Sequence, residues 1–437
     1  MKHIYIIGIC IFSLFANAQV NTKNLSLSQA IELGISESKQ LKISLAKTAA
    51  IHARVEQYSF NAIPALTVTT AYSRLSDNID PFTIQIPGIG EKVLNPVIPN
   101  QFVNKASLSQ TIFAGLRGVY LLQSTQYLEN AAKYDYEKDR VEIKNNIINA
   151  YYALYKSMEA KKLVEENKLV LDKRLYDTKN FQSVGLALQN DVLKVELNIS
   201  NIKQASAEIQ SAIDIATYNF NLMLGLPENT VLVLESEPML TAKETNTPQD
   251  YLAQAVTNRN DLKSSVMRAK SSLKMVSLAK GAYLPIVNAG VNYYYNNPNQ
   301  RVFPQEAKFK NTWDLGVSLN WNLTTLFTNR YQVNEAKANL KQVDAANDML
   351  NDAVKMDVNA SYSQYMLALQ KIEITKKAVE QATENQRVIK NQFDSDVKML
   401  SDLLDADFLL LQSKLNQTNA KIDAETAWFK LIKSTGQ

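Results

Sequence analysis

Phe393–Phe408, reading FDSDVKMLSDLLDADF, lies between two long runs patterned in heptads, and it has a counterpart. Phe181–Glu196, FQSVGLALQNDVLKVE, occupies the same place in the first half of the chain. Subtracting 211 carries Asp396 onto Gly185, Asp402 onto Asp191 and Leu404 onto Leu193. Two matched turns at the ends of two matched helical hairpins mark an internal duplication, so the fold is read as a tandem repeat.

The arms on either side of these turns carry a coiled-coil period. Val354, Val358, Tyr362, Tyr365, Leu369, Ile372 and Val379 step by three and four. Leu404, Phe408, Leu411, Leu415, Thr418, Ile422 and Phe429 do the same on the return arm. That spacing predicts hairpins over about 116–224 and 328–433, with left-handed seams. An outgoing arm of about 65 residues spans roughly 100 Å, longer than a globular core requires.

Upstream of each hairpin the period changes from helical to alternating. Leu25 to Phe60 reads as helix until Pro64, and Pro285 stands 221 positions later in the same role. Strands are predicted over about 65–74, 102–112, 286–296 and 312–322. In the last, Trp313, Leu315, Val317, Leu319 and Trp321 alternate with Asp314, Gly316, Ser318 and Asn320. The stretch from Leu75 to Gln101 holds Pro81, Pro87, Pro96 and Pro99 and reads as a connection without regular structure. The repeats run over 19–230 and 248–437, joined by an irregular equatorial segment at 231–247. Strands of about ten alternating residues suit a tilted membrane crossing, and a soluble antiparallel sheet alternates in the same way. Export, tryptophans near both ends of the last strand, and helices committed to one another favour the membrane. Four strands cannot close a barrel by themselves, so several protomers would have to share one.

Composition narrows the chemistry. The formal charge of +4 leaves no polybasic surface for nucleic acid. Lys2 and His3, an apolar run from Ile4 to Phe15 and Ala16-Asn17-Ala18 read as a secretory signal peptide over 1–18. Ile9 is too bulky to precede an acylated Cys10. Past Gln19 there is no cysteine, and His52 is the one histidine, read as packing or surface. Thiol catalysis and His/Cys zinc sites are excluded, and no nucleophile motif, phosphate loop or metal cluster points to an enzyme or a cofactor.

Taken together, the signal peptide, the duplicated helix–strand–strand–hairpin order, the prolines before the odd strands, and the turns VGL-x(4)-DV and x(6)-DLLDA resemble TolC-like outer-membrane efflux proteins. The resemblance covers essentially the whole mature chain. It implies a mixed α and transmembrane β fold: a homotrimer sharing a 12-stranded β-barrel in outer-membrane lipid, continued by a periplasmic α-helical coiled-coil barrel. It implies the exit duct of a tripartite efflux pump or type I secretion system, docked on a periplasmic adaptor and through it on an inner-membrane pump. Carried over by motif, the gate falls on Asp402, Asp405, Lys398, Asp191 and Phe393, and the adaptor-docking turns on Val184, Gly185, Leu186, Asp396 and Val397. Asp396 departs from the family's glycine, which Gly185 keeps. Asp191 and Asp402 can equally be helix caps, because an aspartate opening a helix satisfies its first amides. Asp405 aligns with Lys194, so the hairpin itself has no need of an acid there. The competing class is a periplasmic coiled-coil adaptor or a surface structural protein without a pore.

Overall fold

A computed structural model describes residues 22–60, 62–235, 246–395 and 397–437. The expected signal peptide and Asp396 lie outside these residues. The chain opens with strand β1 (Thr22–Leu25) and helices α1 (Leu27–Glu37) and α2 (Lys39–Phe60), not with one helix from Leu25. Serines make the breaks. Ser26 Oγ accepts from the Gln29 N–H at 3.3 Å, and Gln29 Oε1 accepts from the Ser26 N–H at 3.2 Å, a reciprocal capping box. Ser38 Oγ accepts from the Leu41 N–H at 3.2 Å and restarts the helix.

Then come β2 (Ala65–Arg74), β3 (Phe82–Ile86), β4 (Gly90–Asn95), β5 (Asn100–Ala114), α3 (Arg117–Ser183), α4 (Gln189–Leu224) and β6 (Val231–Leu234). The second half supplies α5 (Pro248–Asn258), α6 (Asn260–Gly281), β7 (Ile286–Asn296), β8 (Lys310–Asn320), α7 (Thr325–Asp394) and α8 (Leu400–Ser434). Three expectations are corrected. The stretch from Leu75 to Gln101 contains the β3–β4 hairpin, because its four prolines all fall outside the strands they flank. The joining segment is not wholly irregular, since Val231–Leu234 pairs in parallel with Thr22–Leu25. The last strand ends at Asn320, so Trp321 lies past it and donates its indole N–H to the Tyr283 carbonyl at 3.1 Å.

The described residues fall into two compact units. One holds residues up to Lys42, Lys138–Arg259 and Val354–Gln437. Its main core gathers Leu25, Leu27, Ile147, Tyr151, Phe220 and Leu224 around the β1–β6 pair. Tyr151 donates its hydroxyl to the Glu235 carbonyl at 2.9 Å, which ties the paired strands to α3.

The second unit holds Ile43–Glu137 and Asn260–Ala353, with an antiparallel sheet in the order β2-β5-β7-β8. The register places Val68, Ala106, Tyr293 and Trp313 in one row across the four strands, with Leu66, Leu108, Val291 and Leu315 in the next. That face is exposed and apolar: Val68 is 72%, Val317 73% and Trp313 70% exposed. The opposite face is polar. Ser107 Oγ donates to Asn292 Oδ1 and Thr111 Oγ1 to Asn288 Oδ1, each at 2.8 Å. Strand turns into helix at Gly115 and Leu116, both left-handed, with φ of 64° and 58°. A Cβ on Gly115 would lie 2.1 Å from the Gly281 carbonyl oxygen, so only glycine permits that backbone approach.

Candidate functional site

Both candidate turns belong to the first unit. In the first, α3 ends at Ser183 and Gly185 takes a left-handed φ of 80°. That geometry returns the Leu186 N–H to the Phe181 carbonyl at 2.8 Å, a closure a Cβ would strain. Val184 and Leu186 are left 68% and 77% exposed. Asp191 accepts from the Leu188 N–H at 3.1 Å and lies 3.8 Å from Lys194 Nζ, one turn along the same helix.

The second turn closes in the same manner. The Val397 N–H donates to the Gln392 carbonyl at 2.8 Å, and Val397 is 69% exposed. Asp402 accepts from the Met399 N–H at 3.4 Å, and Lys398 Nζ lies 3.7 Å from its carboxylate. Asp191 and Asp402 therefore do cap their helices, as the sequence allowed, and the caps occupy one oxygen of each. Lys398 and Asp191 each find a partner on their own hairpin. Asp405 is exposed and has no ion pair among the described residues. Phe393 is half-buried, packed against a cluster of Leu171, Val195, Ile199, Leu400 and Leu404 from both hairpins.

One residue escaped the reading of the sequence. Asp407, 5% exposed, accepts from Arg174 Nε at 3.4 Å and from Gln386 Nε2 at 2.9 Å, so its buried carboxylate joins α3, α7 and α8. The heptad pattern put Phe408 in the seam instead, and Phe408 is 57% exposed. Leu403–Leu404 and Ala406–Asp407 face inward together, and an acid at a buried position carries no apolar signal. Among the described residues no group of three or more His, Cys, Asp or Glu is placed to hold a metal. No described helix is long and apolar enough to cross a membrane.

An antiparallel sheet with one exposed apolar face, combined with two long helical hairpins, is a fold this chain shares with solved outer-membrane channels. The fold is that of CusC, described in terms of transmembrane channel formation, with a TM-score of 0.79, 12% identity, and coverage of 97% of this chain and 96% of that one. It is equally that of the outer membrane protein VceC of Vibrio cholerae, with a TM-score of 0.78, 16% identity, and coverage of 94% and 96%. A curated relative, outer membrane protein TolC of Vibrio cholerae serotype O1, is 21% identical over 298 residues, 66% of each chain. The family described as "Outer membrane efflux protein" matches residues 251–437. Over that stretch the chain resembles outer-membrane efflux proteins, as it does the TolC relative over its 298 residues.

Proposed function

We propose that three copies of this chain close one 12-stranded barrel in the outer membrane and form the exit duct of a tripartite efflux pump or type I secretion system. The observation that carries this is the sheet. Among the described residues β2 pairs only with β5 and β8 only with β7, so both edges are open. Successive antiparallel pairings leave β2 and β8 running in opposite directions, which lets β8 of one copy continue into β2 of the next as another antiparallel pair. An open edge beside an exposed apolar face is a liability that closure with further copies removes.

In this reading the helical hairpins continue the barrel into the periplasm. The exposed apolar turn residues Val184, Leu186 and Val397, with Gly185 shaping the first turn, meet a periplasmic adaptor, which links the duct to an inner-membrane pump. Asp402 and Asp405 ring the mouth, with Lys398 and Asp191 biasing it. Phe393 supports the mouth from the packed cluster behind it. Transport through the duct is passive; the chain is a conduit and no enzyme. Mass measurement of the protein extracted in mild detergent tests the assembly: a trimer is expected, and a stable monomer or dimer sinks the shared barrel.

A further inference from the structure

The polar face of the sheet carries charges that the hairpin turns do not explain. Register pairs Lys105 with Tyr294, and Tyr294 with Thr312. Asn292, two residues from Tyr294, donates to Asp314 Oδ1 at 2.7 Å. From the loop after β7, Arg301 Nη2 donates to Asp314 Oδ2 at 2.6 Å, and its guanidinium carbon lies 4.1 Å from the centre of the Tyr294 ring. Lys105 Nζ lies 5.6 Å from the centre of the same ring. The two cations therefore stand closer together than about 10 Å, the screening length at 0.1 M salt.

Charge does not balance there. Asp314 answers Arg301, while the Lys105 ammonium meets only the ring face and no carboxylate among the described residues. Lys310, further along the same face, is paired with Glu306 at 2.8 Å and adds nothing. The rest of the face is hydroxyl and amide, from residues such as Thr67, Ser109, Asn288 and Ser318. Two cations around one aromatic ring, with a single acid between them, leave one positive charge and several unused N–H donors. A planar guanidinium and a mobile ammonium together suit an oxyanion.

We propose that Lys105 and Arg301 form an oxyanion-binding subsite inside the barrel, taking the carboxylate, phosphate or sulfate group of an anionic solute on its way out. The subsite rests on the three-copy barrel proposed above, which would repeat it three times around one lumen. Like charges repeated on a narrow wall focus the field and raise the local concentration of their counter-ion. The acids of the hairpin turns favour cations, so the two regions would discriminate in opposite senses.

Single trimers in a planar bilayer test this, with inorganic tripolyphosphate added to the bath facing the 297–309 loop. The parent is expected to show reversible block. Lys105→Gln should weaken it about ten-fold at 0.1 M KCl, and the difference should shrink at 1 M, where screening is stronger. Lys105→Arg should retain block. Asp314→Asn, which leaves both cations unanswered, should strengthen it; because this variant gains function, poor folding cannot imitate the result. A conducting parent that tripolyphosphate does not block, or that blocks equally after Lys105→Gln, overturns the subsite while leaving the duct intact. A parent that forms no conducting trimer overturns both.

Discussion

Asp402 serves its own helix before it can serve a pore. Its carboxylate holds the Met399 amide and stands beside Lys398, whereas Asp405, three residues on, is exposed and has no ion pair among the described residues. Asp405→Ala should therefore weaken block by a trivalent cation more than Asp402→Ala does, and the double change should nearly abolish it. Asp402→Ala should also lower stability by about 0.5–1.5 kcal/mol through the lost amide bond. Lys398→Ala should act the other way, strengthening cation block by uncovering Asp402. Single-channel recording with the cation on the periplasmic side reads all four variants, and a double mutant that blocks like the parent moves the acid ring elsewhere. Asp407 belongs to a different category. Removing one member of a buried ion pair strands the other, so Asp407→Ala should cost about 3–5 kcal/mol. Arg174→Ala with Asp407→Ala should cost less than the two singles combined, measured as denaturation midpoints in detergent. The sequence set Asp405 apart from Asp402 by its alignment with Lys194, but gave no sign of Asp407. What separates them is burial, set by how two hairpins pack, and no local pattern encodes that.

At the scale of elements, β8 offers the cleanest contrast between neighbours. Val317 is on the exposed apolar face, and Ser318 on the polar one, paired in register with Asn288. Val317→Arg should cost about 2–4 kcal/mol near a bilayer midplane and reduce assembled protein. Ser318→Arg should assemble and alter conductance. Equal loss from both, read as trimer yield on a native gel, would favour a soluble sheet. The α2–α3 contact makes a prediction about pH. A bond from Lys133 at 2.7 Å holds the Glu129 carboxyl below its ordinary 4.5, with a smaller contribution from His52 at 3.1 Å. A depressed carboxylate contributes stability that is complete above its ordinary value and is lost as pH falls through the lowered one. Glu129→Gln should flatten that acid limb, as thermal melts between pH 3 and pH 6, roughly the carboxylate range, would show. Alternation and proline made the four sheet strands legible, since both act within one strand. The β3–β4 hairpin was hidden because prolines that bracket strands look, one by one, like prolines that forbid them. The β1–β6 pair joins segments about two hundred residues apart in sequence, a distance no periodicity spans.

For the whole molecule, the expected duplication was drawn from the sequence alone, because a repeat is looked for by comparison within the chain. The number of copies in an assembly was not readable directly: four strands require only that several copies share a barrel, and three is what the family resemblance implies. Those two open edges have a consequence for inheritance. If each copy lends one edge to each neighbour, a copy with a damaged edge spoils a seam for partners that are themselves sound. With equal expression of sound and damaged copies, only about one ring in eight would be built entirely from sound chains, by random assortment into closed threes. A proline in β2 at Val68, harmless as a null allele would be in a monomeric barrel, should therefore behave as a dominant poison. Co-expressed with the parent, it should drag export well below the half that simple dosage allows.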